Sequence, residues 1–180
     1  MVGDQSRSEQ VVAALAALTG WDGDSPNRPD WTSFESAFGR PFPNDFKRYV
    51  ERFPPGAFEL LAVFHPLDVD YGDDPRSYVL QLIERNEPVN DFGNPFRFGI
   101  EPGELLAWGT VNGEYELCWQ LTNDEPDSWG CVVVDMAART GERYSGGMVD
   151  LLISVLSGAS GISSLDYLRD ALPMSFVPYD

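Results

Sequence analysis

Apolar residues recur along this chain with two periods, and the switches between those periods divide it into elements. From residue 8 to 19, Val11, Val12, Leu15 and Leu18 fall on one helical face, and Gly20 stops the helix. A Gly/Asp/Pro loop from Trp21 to Pro29 leads to Asp30, placed to cap a short helix in which Trp31, Phe34 and Phe38 stack before Gly39. Pro43 starts a third helix, where its missing N–H costs nothing. Phe46, Tyr49, Val50 and Phe53 form its apolar face, while Asp45, Lys47, Arg48 and Glu51 take the wet one. Pro54-Pro55-Gly56 ends it, and Phe58 to Phe64 reads as one short buried strand.

The middle of the chain is less regular. Val79, Leu82 and Ile83 suggest a short helix, with a strand as the alternative. Asn86 to Pro102, with the aromatic run Phe92, Phe96 and Phe98, reads as a long loop packed on a sheet. The clearest local signal follows. Leu105–Val111 and Glu114–Leu121 flank Asn112-Gly113, the dipeptide that best tolerates the positive φ values of a type I′ turn. A two-residue loop sets Val111 opposite Glu114, Trp108 opposite Leu117 and Leu106 opposite Trp119. Leu106, Trp108, Tyr115, Leu117 and Trp119 then share one side. Leu105, Ala107, Val111, Glu114, Glu116, Cys118 and Gln120 share the other, which is mixed, as on a sheet with a solvated or partner-facing side.

Beyond the polar loop Thr122–Ser128, Trp129-Gly130 opens a strand over Cys131–Met136, and Thr140-Gly141 turns into a return strand ending at Tyr144. Met148, Leu151, Leu152, Val155 and Leu156 make an amphipathic helix between Gly147 and Gly158, and a last helix runs from Leu165 to Leu172. The tail PMSFVPYD packs or frays. The pattern predicts an α+β fold: one domain over 1–180, with a central, largely antiparallel sheet flanked by N-terminal and C-terminal helices.

The segment Phe42-Pro43-x-Asp45-Phe46-Lys47-Arg48-Tyr49-Val50, with the Trp108-Gly109, Trp119 and Trp129-Gly130-Cys131-Val132-Val133 punctuation further on, resembles the SUKH superfamily. That superfamily groups a yeast cell-wall-assembly regulator with bacterial immunity proteins of polymorphic toxin systems. Phe42 stands where leucine is commoner, and the resemblance spans roughly 30–157. Residues 1–29 then form an N-terminal helix and loop, and 158–180 a C-terminal extension. The resemblance implies a non-catalytic binding module and carries over no catalytic residue. A regulatory scaffold unrelated to toxins is the alternative within that class.

Composition narrows the possibilities. Apolar residues at 43%, of which many are aromatic, support a substantial core, and no apolar run reaches the length of a membrane span. The polar N-terminus lacks the pattern of a secretory signal, so a cytoplasmic location is expected. Cys118 and Cys131, without a CxxC or Cys/His cluster, read as free thiols. The formal charge of −17 disfavours nucleic acid as a direct ligand. From Phe98 to Ala138 there is no Lys or Arg. Within that stretch lie Glu114, Glu116, Asp124, Glu125 and Asp127, and Asp68, Asp70, Asp73 and Asp74 make a second acidic patch.

These acids are either a solubilising surface or the contact for a basic protein partner. Taken as a contact, it comprises Glu114, Glu116, Asp124, Glu125, Asp127, Asp73 and Asp74, with Trp129, and Trp21 beside it, as aromatic anchors or else core residues. The rival enzyme reading takes Glu114 and Glu116, about 7 Å apart on one strand face, as paired carboxylates with His65, the only histidine, in a small hydrolase or nucleotide-modifying enzyme. No phosphate loop, nucleophile elbow or metal-spaced His pair accompanies them, so no cofactor or metal is expected.

Overall fold

The structure, a computed structural model, describes residues 2–93 and 95–179, and side chains at all of these except 2–6, 91 and 92. Phe92 of the aromatic run therefore lies outside the described side chains. The chain is α+β. Among the described residues seven strands form one sheet in the order β6-β5-β4-β3-β2-β1-β7, every neighbouring pair antiparallel. The strands are β1 (Gly56–Phe58), β2 (Leu61–Val63), β3 (Leu105–Val111), β4 (Tyr115–Gln120), β5 (Cys131–Asp135), β6 (Thr140–Tyr144) and β7 (Phe176–Pro178). Helices α1 (Val2–Thr19), α2 (Trp31–Phe38) and α3 (Asn44–Arg52) precede the sheet or its first hairpin. Helix α4 (Pro75–Glu84) is inserted after β2, α5 (Met148–Leu156) follows β6, and a 3-10 helix spans Ser163–Ala171.

One face of the sheet carries Leu106, Trp108, Leu117, Trp119 and Cys131. Against it lies α3, whose Phe46 ring meets Trp119 edge-on at 5.2 Å while Phe42 lies 6.4 Å from the same ring. Helix α1 packs on α3 and α5 through Val12, Leu15 and Ala16. Leu18, expected on that buried face, is 42% exposed, because the small Ala16 rather than Leu18 faces the neighbouring helices. Asp30 precedes α2 but does not cap its backbone; its carboxylate takes the Ser33 hydroxyl at 2.6 Å instead.

Two further expectations are corrected. Phe58–Phe64 is not one strand but the β1–β2 hairpin, turned at Glu59, which adopts a φ of 51°. Of the two fates left open for the tail, it packs: β7 pairs with β1, and Phe176 packs on Phe53 at 5.0 Å and Phe58 at 5.1 Å. The β3–β4 hairpin has the expected Asn112-Gly113 turn, with φ of 54° and 70°, and the expected Leu106–Trp119 pairing. Nearer the turn, however, Val111 faces Tyr115 and Gly109 faces Leu117. Glu114 stays in the turn, and a bulge at Trp108 restores the register. Val111 consequently moves to the Tyr115 side, where it is fully buried.

The larger correction concerns the second face, which carries Leu105, Ala107, Thr110, Glu116, Cys118, Val132 and Val134. Over β3 to β6 it is covered. Helix α4 lies on β3, and the Tyr78 hydroxyl donates to the Phe64 carbonyl at 3.0 Å. The loop after α4 is closed by Asn90, which donates to the Phe98 carbonyl and accepts the Phe98 N–H, both at 2.8 Å. The Phe96 ring lies against Gly141 of β6, where any Cβ would collide with it. The loop from Asn86 does pack on the sheet, and it removes most of the expected wet face from solvent.

Candidate partner-binding site

Glu114 and Glu116 do not form a carboxylate pair. Glu114 is exposed in the turn, whereas Glu116, one step into β4, is only 4% exposed. Arg85, just past α4, reaches it with Nε at 3.2 Å from both carboxylate oxygens and Nη2 at 3.1 Å from Oε1. The guanidinium also lies over the Phe64 ring at 4.3 Å. A buried carboxylate is tolerated where such a fork neutralises it, and this fork fastens α4 to the sheet. The sequence could not show this, because Arg85 lies outside the basic-free stretch and on another element.

His65 is likewise committed. Its Nδ1 accepts the Leu67 N–H at 3.1 Å, so Nε2 carries the proton and donates to the Phe53 carbonyl at 3.0 Å. Burial pushes its pKa down to about 4, against the carbonyls of Phe53 and Val50, which favour the charged form. The ring is neutral at pH 7 and ties the end of α3 to the turn after β2. Cys118 and Cys131 are free and buried, and burial first of all pushes both thiols well above the ordinary value. Cys118 faces Val132 and Cys131 faces Trp119 across the strands, so the two thiols lie on opposite faces of the sheet.

The loop after β4 is built around Asn123. Its Oδ1 accepts the Glu125 N–H at 2.9 Å and the Ser128 hydroxyl at 3.0 Å, and its carbonyl accepts the Trp129 indole N–H at 2.8 Å. Trp129 is 2% exposed and packs 6.4 Å from Trp119, so it anchors this loop and is not available to a partner. Trp21 is half-buried between Phe53 and Phe176, with its N–H on the Arg52 carbonyl at 3.0 Å. Asp124 and Glu125 are exposed. Asp127 is exposed too, but it accepts the Asn44 backbone N–H at 2.6 Å and Nδ2 at 2.5 Å, holding the first turn of α3. The length of β4 separates Glu114 from Asp124, Glu125 and Asp127 by about 20 Å. Asp73 and Asp74 are exposed on a third region, at the start of α4, where Asp74 caps the Arg76 N–H at 2.9 Å. The proposed contact residues are therefore dispersed, and Glu116 and Trp129 leave the surface altogether.

A cleft of about 180 Å³ that sequence reasoning missed lies between α1, α3, α5 and the loop after β4. Asp45 sits in it and accepts the Val149 N–H at 3.1 Å and the Phe46 N–H at 2.8 Å, joining the starts of α3 and α5. Burial raises its pKa; those N–H groups oppose the shift, and Asp127 and Asp150 add to it. Arg7 meets Asp150 at 3.2 Å. These acids hold helix ends and an arginine, and among the described residues no group of three His, Cys, Asp or Glu is arranged to hold a metal ion. The acid in Phe42-Pro43-x-Asp45 was the available signal.

Among the described residues no helix is long and apolar enough to cross a membrane. Comparison of the chain with models of known protein families, with curated proteins and with solved structures found no match in any of the three.

Proposed function

We propose that this chain is a non-catalytic protein-binding module: an immunity protein of the SUKH type, acting in the cytoplasm without a cofactor, that binds and neutralises a cognate toxin domain with a basic surface. The observation that carries the reading is the contrast between the polar groups inside the molecule and those outside. The residues an enzyme would use are engaged in holding the fold: Glu116 by Arg85, His65 by two backbone groups, Asp45 and Asp127 by helix ends. The acids left over, among them Glu114, Asp124, Glu125 and Asp73, project from exposed loops of a chain whose formal charge is −17. Such a field attracts a basic protein from a distance and raises its association rate. The Phe42–Val50 segment that carries the SUKH resemblance supplies the apolar face of α3 and its Asp45 anchor, which supports the family reading without depending on the charge.

The test is complex formation with the basic domain of a toxin encoded beside this gene, followed over a range of salt. Charges are screened within about 8 Å at physiological ionic strength, so association should slow steeply with salt while dissociation changes little. Metal analysis provides the opposing outcome. One tightly held ion, lost in Glu116→Gln, would replace the binding reading with the enzyme one.

A further inference from the structure

The cover on the second face stops at β3. Rows of paired residues continue across that face onto the three short strands, one running Thr110–Ala62–Ala57–Val177. The next row on the same side carries Phe64, Pro55 and Tyr179, whose N–H bonds the Pro55 carbonyl at 2.9 Å. Arg85 covers Phe64, but Val177 is 57% exposed and Tyr179 52% exposed. Ala57 and Ala62 are small, so the floor between these side chains is shallow. Just after β2, where the chain turns at His65–Asp68, Val69 is 87% exposed between Asp68 and Asp70.

The Tyr179 hydroxyl titrates above its ordinary value, first through partial burial and then through the charges of Asp68 and Asp70, which lie within electrostatic reach of it. Isolated exposed apolar residues are ordinary on any protein; a contiguous set on an uncovered sheet face, rimmed by one sign of charge, is the signature of a contact. Asp68 is partly occupied with the Asp70 N–H at 3.1 Å. Among the described residues no hydrogen bond or ion pair engages the Asp70 carboxylate, which is exposed.

We propose that the open sheet face formed by Ala57, Ala62, Val177 and Tyr179, with Val69 and Asp70 at its rim, is the docking surface for a basic partner protein, which seats apolar side chains on the face and lysine or arginine against the acids. The inference rests on the protein-binding reading and deepens it. Charge selects the occupant: a second copy of a chain at −17 brings the same acids to the contact and is repelled. Strand addition at the neighbouring edge is also disfavoured, because Pro178 of β7 has no N–H to donate. The partner therefore rests its side chains on the face instead of extending the sheet.

The test titrates the isotope-labelled full chain with a short peptide of alternating lysine and valine, beside a lysine/serine peptide and a glutamate/valine peptide, and follows backbone amide shifts. The lysine/valine peptide should bind saturably, with shifts at Ala57, Ala62, Asp68 to Asp70, Val177 and Tyr179. Asp70→Lys should weaken it about tenfold at low salt, as expected for reversal of a facing charge, and Asp124→Lys much less. Val69→Ser combined with Val177→Thr should weaken it at every salt concentration; both positions are exposed, so the fold is retained. Equal binding of the lysine/serine peptide, shifts centred on Glu114 or Asp124 to Asp127, or no saturable binding would each overturn the surface. The binding reading is tested separately on an intact toxin, so a chain that neutralises the toxin yet fails here loses only this assignment.

Discussion

Lowering the pH from 7 to 5 should cost this protein stability through one side chain. His65 is 1% exposed, neutral, and bonded at both ring nitrogens to backbone groups. Its pKa is near 4 in the folded chain, against about 6.5 when unfolded. Between those values the unfolded chain binds the proton and the folded chain does not. The contribution is therefore fully present above pH 6.5 and is lost as pH falls toward 4. The full shift corresponds to about 3 kcal/mol, of which about 2 kcal/mol is lost by pH 5, a large part of an ordinary domain's stability.

Other groups work in the opposite direction. Burial raises the Asp45 pKa, so its contribution favours the folded chain as pH falls, and protonating surface acids relieves repulsion. The assay must isolate His65, so it compares wild type with His65→Asn in urea at both pH values. Asparagine keeps an acceptor for Leu67 but leaves the Phe53 carbonyl unpaired, which costs about 1–3 kcal/mol at pH 7. The gap between the two proteins should shrink by about 2 kcal/mol at pH 5. A gap independent of pH would show that His65 does not remain neutral in the fold.

Further expectations concern single elements. Gly113→Val should destabilise by about 1–2 kcal/mol, because φ at this position is 70° and no neighbouring atom lies near a new Cβ, so backbone strain alone is measured; an unchanged urea midpoint would refute the turn. Arg85→Ala should cost about 2–4 kcal/mol by leaving the Glu116 carboxylate buried and unpaired, and adding Glu116→Val should recover much of that loss. Additive losses in a double-mutant cycle would mean that the pair is not coupled. Reversing Glu114, Asp124 and Glu125 to Lys should slow association with a basic partner and leave thermal unfolding nearly unchanged; stopped-flow rates that ignore the reversal would make those loops solubilising surface only.

What the sequence revealed depended on whether the signal was local. Asn112-Gly113 carries its own turn geometry, and Phe46, Tyr49 and Val50 carry their own helical face, so both elements were legible. The split of β1 from β2 was not, since Glu59-Leu60 lacks glycine and proline yet takes the turn. Strand β7 is three residues long and exists because β1 offers it an edge. A wet second face was inferred from alternation on β4, but alternation cannot reveal that Arg85 and Phe96 arrive from elsewhere to cover it. For the candidate site, the abundance of acid was plain. Which acids hold helix ends, as Asp45 and Asp127 do, depends on contacts between distant segments.

The proposal that this chain neutralises a basic toxin domain by binding it is best tested by growth protection. Cells expressing the toxin domain encoded beside this gene would be compared with and without this chain, and with Asp70→Lys. The account predicts that the toxin domain alone arrests growth, that the chain restores it through a stoichiometric complex, and that Asp70→Lys weakens both complex and protection. Persistent arrest with both proteins present and folded, or full protection without a complex, would contradict it.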